Sequence, residues 1–506
     1  MLPQADSAWT AYDAAHLLNR AGFGGSPEDV RALHAMGREK AVESFISPTE
    51  ALDAFPLPDW ASDASMLASM SKRFESQRMM RRSLRGKSPE EAEKIRRESR
   101  KDYQQEVRRQ GLEAQGWWFR RMLTSRAPLR EKMTLFWHDH FATSIQKVKQ
   151  PAFVIRQNQM FRENAFGSFR ELTQAILLDP AMMLYLDTQS SKKGHPNENF
   201  AREVMELFTL GEGNYSEEDI KQAARAFTGY QLNRATGKVY HNRRQWDSSD
   251  KTVFGKTGPY DGKAVIDLIF QKREAARFMA GKLWEFFVYE NPPEAALESL
   301  TDSFLKANFN TGPLLREFFL SKEFYATKAV HTQIKCPLQY LISLLKQLEL
   351  KTPPVGFPIL AEQQLGQIPF LPPNVAGWDW GKAWINTNTL LTRYNLAGFL
   401  TKGTGLEDSA MANQKMKTPG MAKGPKRMGR NWQGPDYETI APRPLRENPE
   451  ALVDSLIDRF FQAPVPEKAR ASFIDYATAK QGVVFTNQET AELCHLILST
   501  PYYQLC

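Results

Sequence analysis

Apolar residues recur at three- and four-residue intervals along most of this chain, the spacing that lines one face of an α-helix. The pattern predicts helices over roughly 112–126, 128–141, 151–178, 262–290, 296–308, 312–322, 336–349, 449–462 and 487–498. Start signals support it. Ser26-Pro27-Glu28-Asp29 supplies an N-cap, a proline at the first helical position and early acids, and Gly37 ends the run that follows. Ser216 with Asp219 has the capping-box spacing and opens a helix expected to end near Gly229. Strand character is confined to 230–254, where Ala235-Thr236-Gly237-Lys238 can turn a short hairpin. The expected fold is all-α: one large, predominantly helical domain spanning 1–506, with a small β-hairpin.

Two segments break the amphipathic pattern. Residues 71–110 are rich in Arg and Glu with thinly spread apolar positions, and are expected to form a charged helical arm projecting from the body. Residues 403–447 are rich in Gly, Pro, Met and Lys and are expected to form a flexible, disordered insertion. Helical patterning resumes over 448–506, so these last helices should pack back on the core. The arm and the insertion also explain the net charge of +8. Residues 71–110 carry 14 Lys/Arg against 7 Asp/Glu, and 411–430 carry six Lys/Arg and no acid, which leaves the body mildly acidic. Because the arm alternates acids with its bases, nucleic acid is an unlikely partner.

With 42% hydrophobic and 11% aromatic residues the chain can bury a large core. Cys336, Cys494 and Cys506 are too few and too scattered for a disulfide framework or a thiolate metal site. No cationic segment followed by an apolar one opens the sequence, and no run of about 18 apolar residues occurs. The expected location is therefore cytoplasmic.

Candidate chemistry concentrates in three blocks. The first is Asn197-Glu198-Asn199-Phe200-Ala201-Arg202-Glu203-Val204-Met205-Glu206-Leu207-Phe208. On a helical wheel Phe200, Val204, Leu207 and Phe208 make one apolar stripe about 100° wide. Glu198, Arg202 and Glu206 form a ladder opposite it, while Asn199, Glu203 and Glu206 fall within about 60° of one another. Glu203 borders the apolar face, so its carboxylate needs an arginine, a hydrogen-bond donor or a metal beside it. Either an Arg202-centred ion-pair network or a metal or acid–base site satisfies that need. The second block, Phe136-Trp137-His138-Asp139-His140-Phe141, places two histidines two apart. These point about 200° from one another on a helix, so His138 and His140 can share one ion only where the helix ends. The third block is Pro372-Pro373-Asn374-Val375-Ala376-Gly377-Trp378-Asp379-Trp380-Gly381-Lys382-Ala383-Trp384. It is a stiff loop whose tryptophans suit either packing or stacking against a sugar ring. Arg393 follows on the next helix, within reach of an anion or of a first-block carboxylate. Phosphate loops, nucleophile elbows and dinucleotide fingerprints are absent from the sequence.

Taken with His16-Leu17-Leu18-Asn19-Arg20-Ala21-Gly22-Phe23-Gly24, Ala223-Ala224-Arg225-Ala226-Phe227-Thr228-Gly229 and Leu496-Ile497-Leu498-Ser499-Thr500-Pro501, these blocks occur in the order seen in the bacterial family called domain of unknown function 1800, which the chain resembles over nearly its whole length. The resemblance implies no settled activity. It implies frequent export by a twin-arginine signal, which this sequence lacks. It also implies gene neighbourhood with family 1501, whose members resemble sulfatases, so a sulfatase-like partner is an expectation. Where the family pattern carries a histidine before Asp247, this chain has Trp246.

The leading expectation is an enzyme, metal-dependent or acid–base, acting on a polar, glycan-derived substrate. Glu203, Glu206, His138 and His140 would be its catalytic groups, and Glu203, Glu206 and His138 the ligands of a divalent metal. Asn199, Arg202, Asn374 and Arg393 would orient the substrate, and Trp378 or Trp384 would wall it. The competing expectation is a non-catalytic glycan-binding or scaffold protein, for which a flat exposed aromatic patch would speak.

Overall fold

The computed structural model describes residues 1–233, 236–353, 356–402, 434–480 and 485–506. In chain order the helices that frame the site are α1 (Ala11–Arg20), α2 (Pro27–Met36), α3 (Arg38–Ile46), α4 (Asp63–Ser83), α5 (Pro89–Thr124), α6 (Pro128–His140), α7 (Ile145–Val148) and α8 (Pro151–Glu163). They continue as α9 (Phe169–Leu177), α10 (Pro180–Tyr185), α11 (Asn199–Glu203), α12 (Glu217–Ala226), α13 (Gly262–Ile269) and α14 (Arg273–Phe287). The N-cap expected at Ser26 and the capping box expected at Ser216 both form, and Ser26 proves to head a capping box as well. Ser26 and Ser216 each accept from the backbone N–H three residues on, and Asp29 and Asp219 return the bond. The fold is predominantly helical, and one contiguous apolar core runs from Leu2 to Tyr503.

The small β component is two hairpins. Strands β1 (Tyr230–Asn233) and β2 (Lys238–His241) pair antiparallel, as do β3 (Lys251–Val253) and β4 (Lys256–Gly258). Phe254 and Gly255 both take positive φ, 50° and 74°, the two-residue turn whose twist matches a tight hairpin. Asp247, ahead of β3, pairs with Arg225 of α12 at 2.8 Å and ties the hairpin to that helix.

Beneath the site lies a buried ion triad. Glu131 of α6 receives Arg121 Nε of α5 at 2.6 Å and Arg162 Nε of α8 at 2.7 Å. Arg162 Nη2 reaches the second oxygen at 2.9 Å, and Trp118 Nε1 donates to that oxygen at 3.2 Å. Burial alone would push the carboxyl up, but the two guanidinium groups more than offset it and hold it below the usual carboxylate range. The triad fixes α5, α6 and α8 around one point.

The charged arm is a helical hairpin of α4 and the first turns of α5. Most of the expected flexible insertion, residues 403–433, lies outside the described residues. Its last part corrects the expectation: 434–447 carry the short helices Tyr437–Ile440 and Arg443–Arg446. Tyr437 and Ile440 are buried in the core, and Arg446 donates to the Tyr437 carbonyl at 2.6 Å. The helices Pro449–Phe460, Glu467–Lys480 and Asn487–Leu498 follow, and all contribute residues to the core.

Candidate functional site

The second block ends α6, and its three polar side chains leave in three directions, as successive steps of about 100° require. His138 packs among the rings of Trp118, Phe161 and Phe370, and its Nε2 accepts from Asn158 Nδ2 of α8 at 2.9 Å. Asp139 turns to the third block and accepts the Trp378 backbone N–H at 2.6 Å. His140 turns to the first block, its Nε2 lying 2.9 Å from the Phe208 carbonyl oxygen. The Lys282 ammonium of α14 stands 3.3 Å from His140 Nδ1, so Nε2 carries the imidazole proton and donates to Phe208. Burial, with the Arg162 charge for His138 and the Lys282 charge for His140, pushes both imidazoles well below their ordinary pKa and keeps them neutral. The run is a three-way clasp that ties α8, the Trp loop and the first block to one helix end.

That clasp corrects the metal expectation. Each histidine already spends its Nε2 on a protein partner, and His138 is shut inside aromatic rings. Among the described residues no group of three or more His, Cys, Asp or Glu side chains is placed to hold a metal ion. The chemistry of Glu203, Glu206 and His138 as a shared ligand set therefore has no geometry behind it.

The first block is not one α-helix. After α11 the chain widens into a π-helix over Val204–Thr209, with Leu210 N donating to Met205 O at 2.9 Å, five residues back. π-Helices are rare and cluster at functional sites. The wider turn rotates each later residue by less than the α-helical step. Met205 is consequently buried, while Leu207, assigned to the apolar stripe from sequence, is only half-buried. The polar ladder divides in two. Arg202 makes a bidentate pair with Glu217 of α12 at 2.8 and 2.9 Å and keeps Glu198 at 3.5 Å. Glu206 turns instead to Tyr215, whose hydroxyl donates to it at 2.9 Å. Glu203 is half-buried and close to Glu206. Burial first, and the Glu206 charge second, push its carboxyl up. Asn199 is exposed at the start of α11 and takes no part in this pair.

The third block is arranged differently from expectation as well. Trp378 and Trp384 are buried, and the exposed ring of the loop is Trp380, at 46%. Trp380 lies edge-on to Phe286 of α14, with ring centres 5.1 Å apart. Asn374 caps its own turn, accepting from Ala376 N at 2.8 Å. Arg393 does not reach the first block. It is buried, stacked on Tyr340, and donates to Lys335 O at 2.8 Å and to Gln504 Oε1 at 3.1 Å. Gly377 takes φ +92°, and a side chain there would come within 2.5 Å of the Asp139 carbonyl oxygen.

Asp139 and Lys282 are the residues that sequence reasoning passed over. Asp139 sits between two noted histidines, and the flanking Phe136, Trp137 and Phe141 were signal enough that it would be buried. Burial pushes its carboxyl up to about 7, although the Trp378 N–H and the Lys282 charge pull the other way. A carboxyl whose folded pKa exceeds its unfolded value contributes stability that is complete below about 4 and is lost as pH rises through about 7. Asp179, also pushed up to about 7, adds the same trend, so the test is a difference measurement. Urea unfolding at intervals from pH 4 to pH 8 should show wild type losing stability relative to Asp139→Asn as pH rises. Parallel profiles would show that Asp139 does not titrate in that window.

A family model described as a protein of unknown function, DUF1800, matches residues 16–505. No curated protein and no solved structure matches the chain. Among the described residues, no helix is long and apolar enough to cross a membrane.

Proposed function

This chain belongs to the DUF1800 family, and we propose that it is an acid–base enzyme acting on a polar, glycan-like substrate at the π-helical face. The observation that carries the reading is the Glu203–Glu206 pair. Two neighbouring carboxyls in unequal environments separate their protonation states, which is how one site comes to hold both an acid and a base. Glu203, half-buried and beside a like charge, is the proton donor. Glu206, held by the Tyr215 hydroxyl, is the carboxylate that accepts a proton or stabilises developing positive charge. Arg202 is already committed to Glu217 and positions the helix. His140 and Lys282 act through the Phe208 carbonyl as positioning residues for the π-turn.

The test is hydrolysis or elimination on a panel of chromogenic glycosides, uronides and esters, with wild type, Glu203→Gln and Glu206→Gln. Each substitution should lower kcat by about 100-fold or more, the usual scale for a positioned acid or base. Glu203→Gln should also remove the alkaline limb of the pH–rate profile, where loss of the Glu203 proton stops the acid. Activity unchanged in both variants would end this reading.

A second reading is favoured by one observation. Trp380, Leu390, Leu391 and Tyr394 are all substantially exposed, on the Trp loop and on the helix Thr387–Lys402 that follows it. An exposed aromatic and aliphatic surface of this kind suits docking of a glycan or of a protein such as the sulfatase-like partner that the resemblance implies. Binding that is lost in Trp380→Ala and unchanged in Glu203→Gln would favour it.

A further inference from the structure

The arm carries its charge unevenly, and the difference matters. On α5 the two signs nearly balance, with seven Lys/Arg and six Asp/Glu over 89–110, and three of the bases pair along the helix: Arg96 and Arg100 with Glu93, and Arg109 with Glu106 and Glu113. The end of α4 and the turn after it are not matched. Residues 72–87 hold seven Lys/Arg and one acid, Glu75. Arg73 faces inward, its guanidinium 3.8 Å from the centre of the Tyr103 ring of α5. The other six, Lys72, Arg78, Arg81, Arg82, Arg85 and Lys87, are exposed and make no ion pair among the described residues. Between them stand large apolar side chains in water, Phe74 at 66% exposure and Met79 at 62%, and Leu67 at 38% lies ahead of them on the same helix. At about 100° per residue, Leu67, Phe74, Arg78 and Arg81 fall within a stripe about 60° wide.

From this we propose that the α4 end of the arm docks the protein on an anionic phospholipid surface. Apolar side chains flanked by arginine on one helix face are the pattern of an interfacial helix, whose rings enter the headgroup boundary while the guanidiniums meet phosphate. Charge complementarity fixes the sign of the surface. The exposed Phe74 and Met79 favour lipid over duplex nucleic acid, because the phosphate backbone of a duplex offers no apolar phase in which to bury them. The inner face of α4 is held by Arg73 on Tyr103, so the outer face is free to dock without unfolding the hairpin.

The experiment is sedimentation of the full chain with vesicles of phosphatidylcholine alone and of phosphatidylcholine with one-third phosphatidylglycerol, at about 0.1 M salt, where surface charges still act over about 10 Å. Binding is expected to the anionic vesicles and not to the neutral ones. Arg78→Glu with Arg81→Glu should weaken it at least tenfold, since each cation near such a surface contributes about fivefold. Phe74→Ser should weaken it about tenfold through lost burial alone. All three positions are exposed, so circular dichroism should be unchanged. Equal sedimentation with both vesicle types, or none with either, overturns the proposal. So does binding that the Arg variant abolishes and Phe74→Ser leaves intact, as does tighter binding to random duplex DNA than to the anionic vesicles.

Discussion

Glu131→Ala should destabilise the fold by about 3–5 kcal/mol, the cost of leaving buried cations without their counter-charge. Arg121, Glu131 and Arg162 are all at most 1% exposed, so water cannot replace the carboxylate. With it gone, two guanidinium groups face each other across the junction of α5, α6 and α8. A total domain stability of about 5–15 kcal/mol leaves little margin for such a loss. The expected result is poor soluble yield, or a urea midpoint far below that of wild type. Glu131→Gln should fall between, since the amide oxygen still accepts one bond. Replacing the whole triad with apolar residues of similar volume, as Arg121→Met, Glu131→Leu and Arg162→Met together, should recover most of the stability, because no charge is then stranded. A Glu131→Ala protein within 1 kcal/mol of wild type would show that the triad is not buried as described.

Gly377→Ala is the second large effect. At φ +92° a residue with a Cβ is strained, and the added methyl overlaps Asp139 itself. Strain and overpacking each cost about 1–3 kcal/mol, and here they coincide. The loop can relieve the overlap only by giving up the 2.6 Å bond from Trp378 N to Asp139. The substitution should therefore destabilise by about 3 kcal/mol and shift tryptophan fluorescence to the red as Trp378 meets water. Asp139→Ala should reproduce the fluorescence change without the steric term. A Gly377→Ala variant with unchanged emission would separate the loop from Asp139.

The helical frame was legible in the sequence because amphipathic spacing and caps are local. Ser26 with Asp29 and Ser216 with Asp219 announce their helices within four residues. The break at 164–168 between α8 and α9 was not read, because Phe161, Ala165 and Phe169 continue an apolar spacing of four across it. The three chemical blocks were legible, and the contacts that several of their side chains make were not. A π-turn differs from an α-turn by one hydrogen-bond register and leaves no signature in residue type, so a wheel drawn through Val204–Thr209 puts Leu207 in the apolar stripe and leaves the buried Met205 out of it. The histidines of the second block were judged against each other, when the relevant partners were Asn158 and Phe208. Asp139 was overlooked because its partner lies on a distant loop. Arg393 and Trp384 looked like site residues from their neighbourhood in sequence, but long side chains with apolar bodies also fill cores.

The clasp at the end of α6 also orders events during synthesis. His138 meets a partner 20 residues downstream, His140 one 68 residues on, and Asp139 one 239 residues on. Loops of such different length close at different times, and contacts distant in sequence are the slow ones. The first two ties can form while the ribosome is still making the middle of the chain. Asp139 must wait until residue 378 has emerged, so a nascent chain can hold both histidine hydrogen bonds while the aspartate between them is still unsealed.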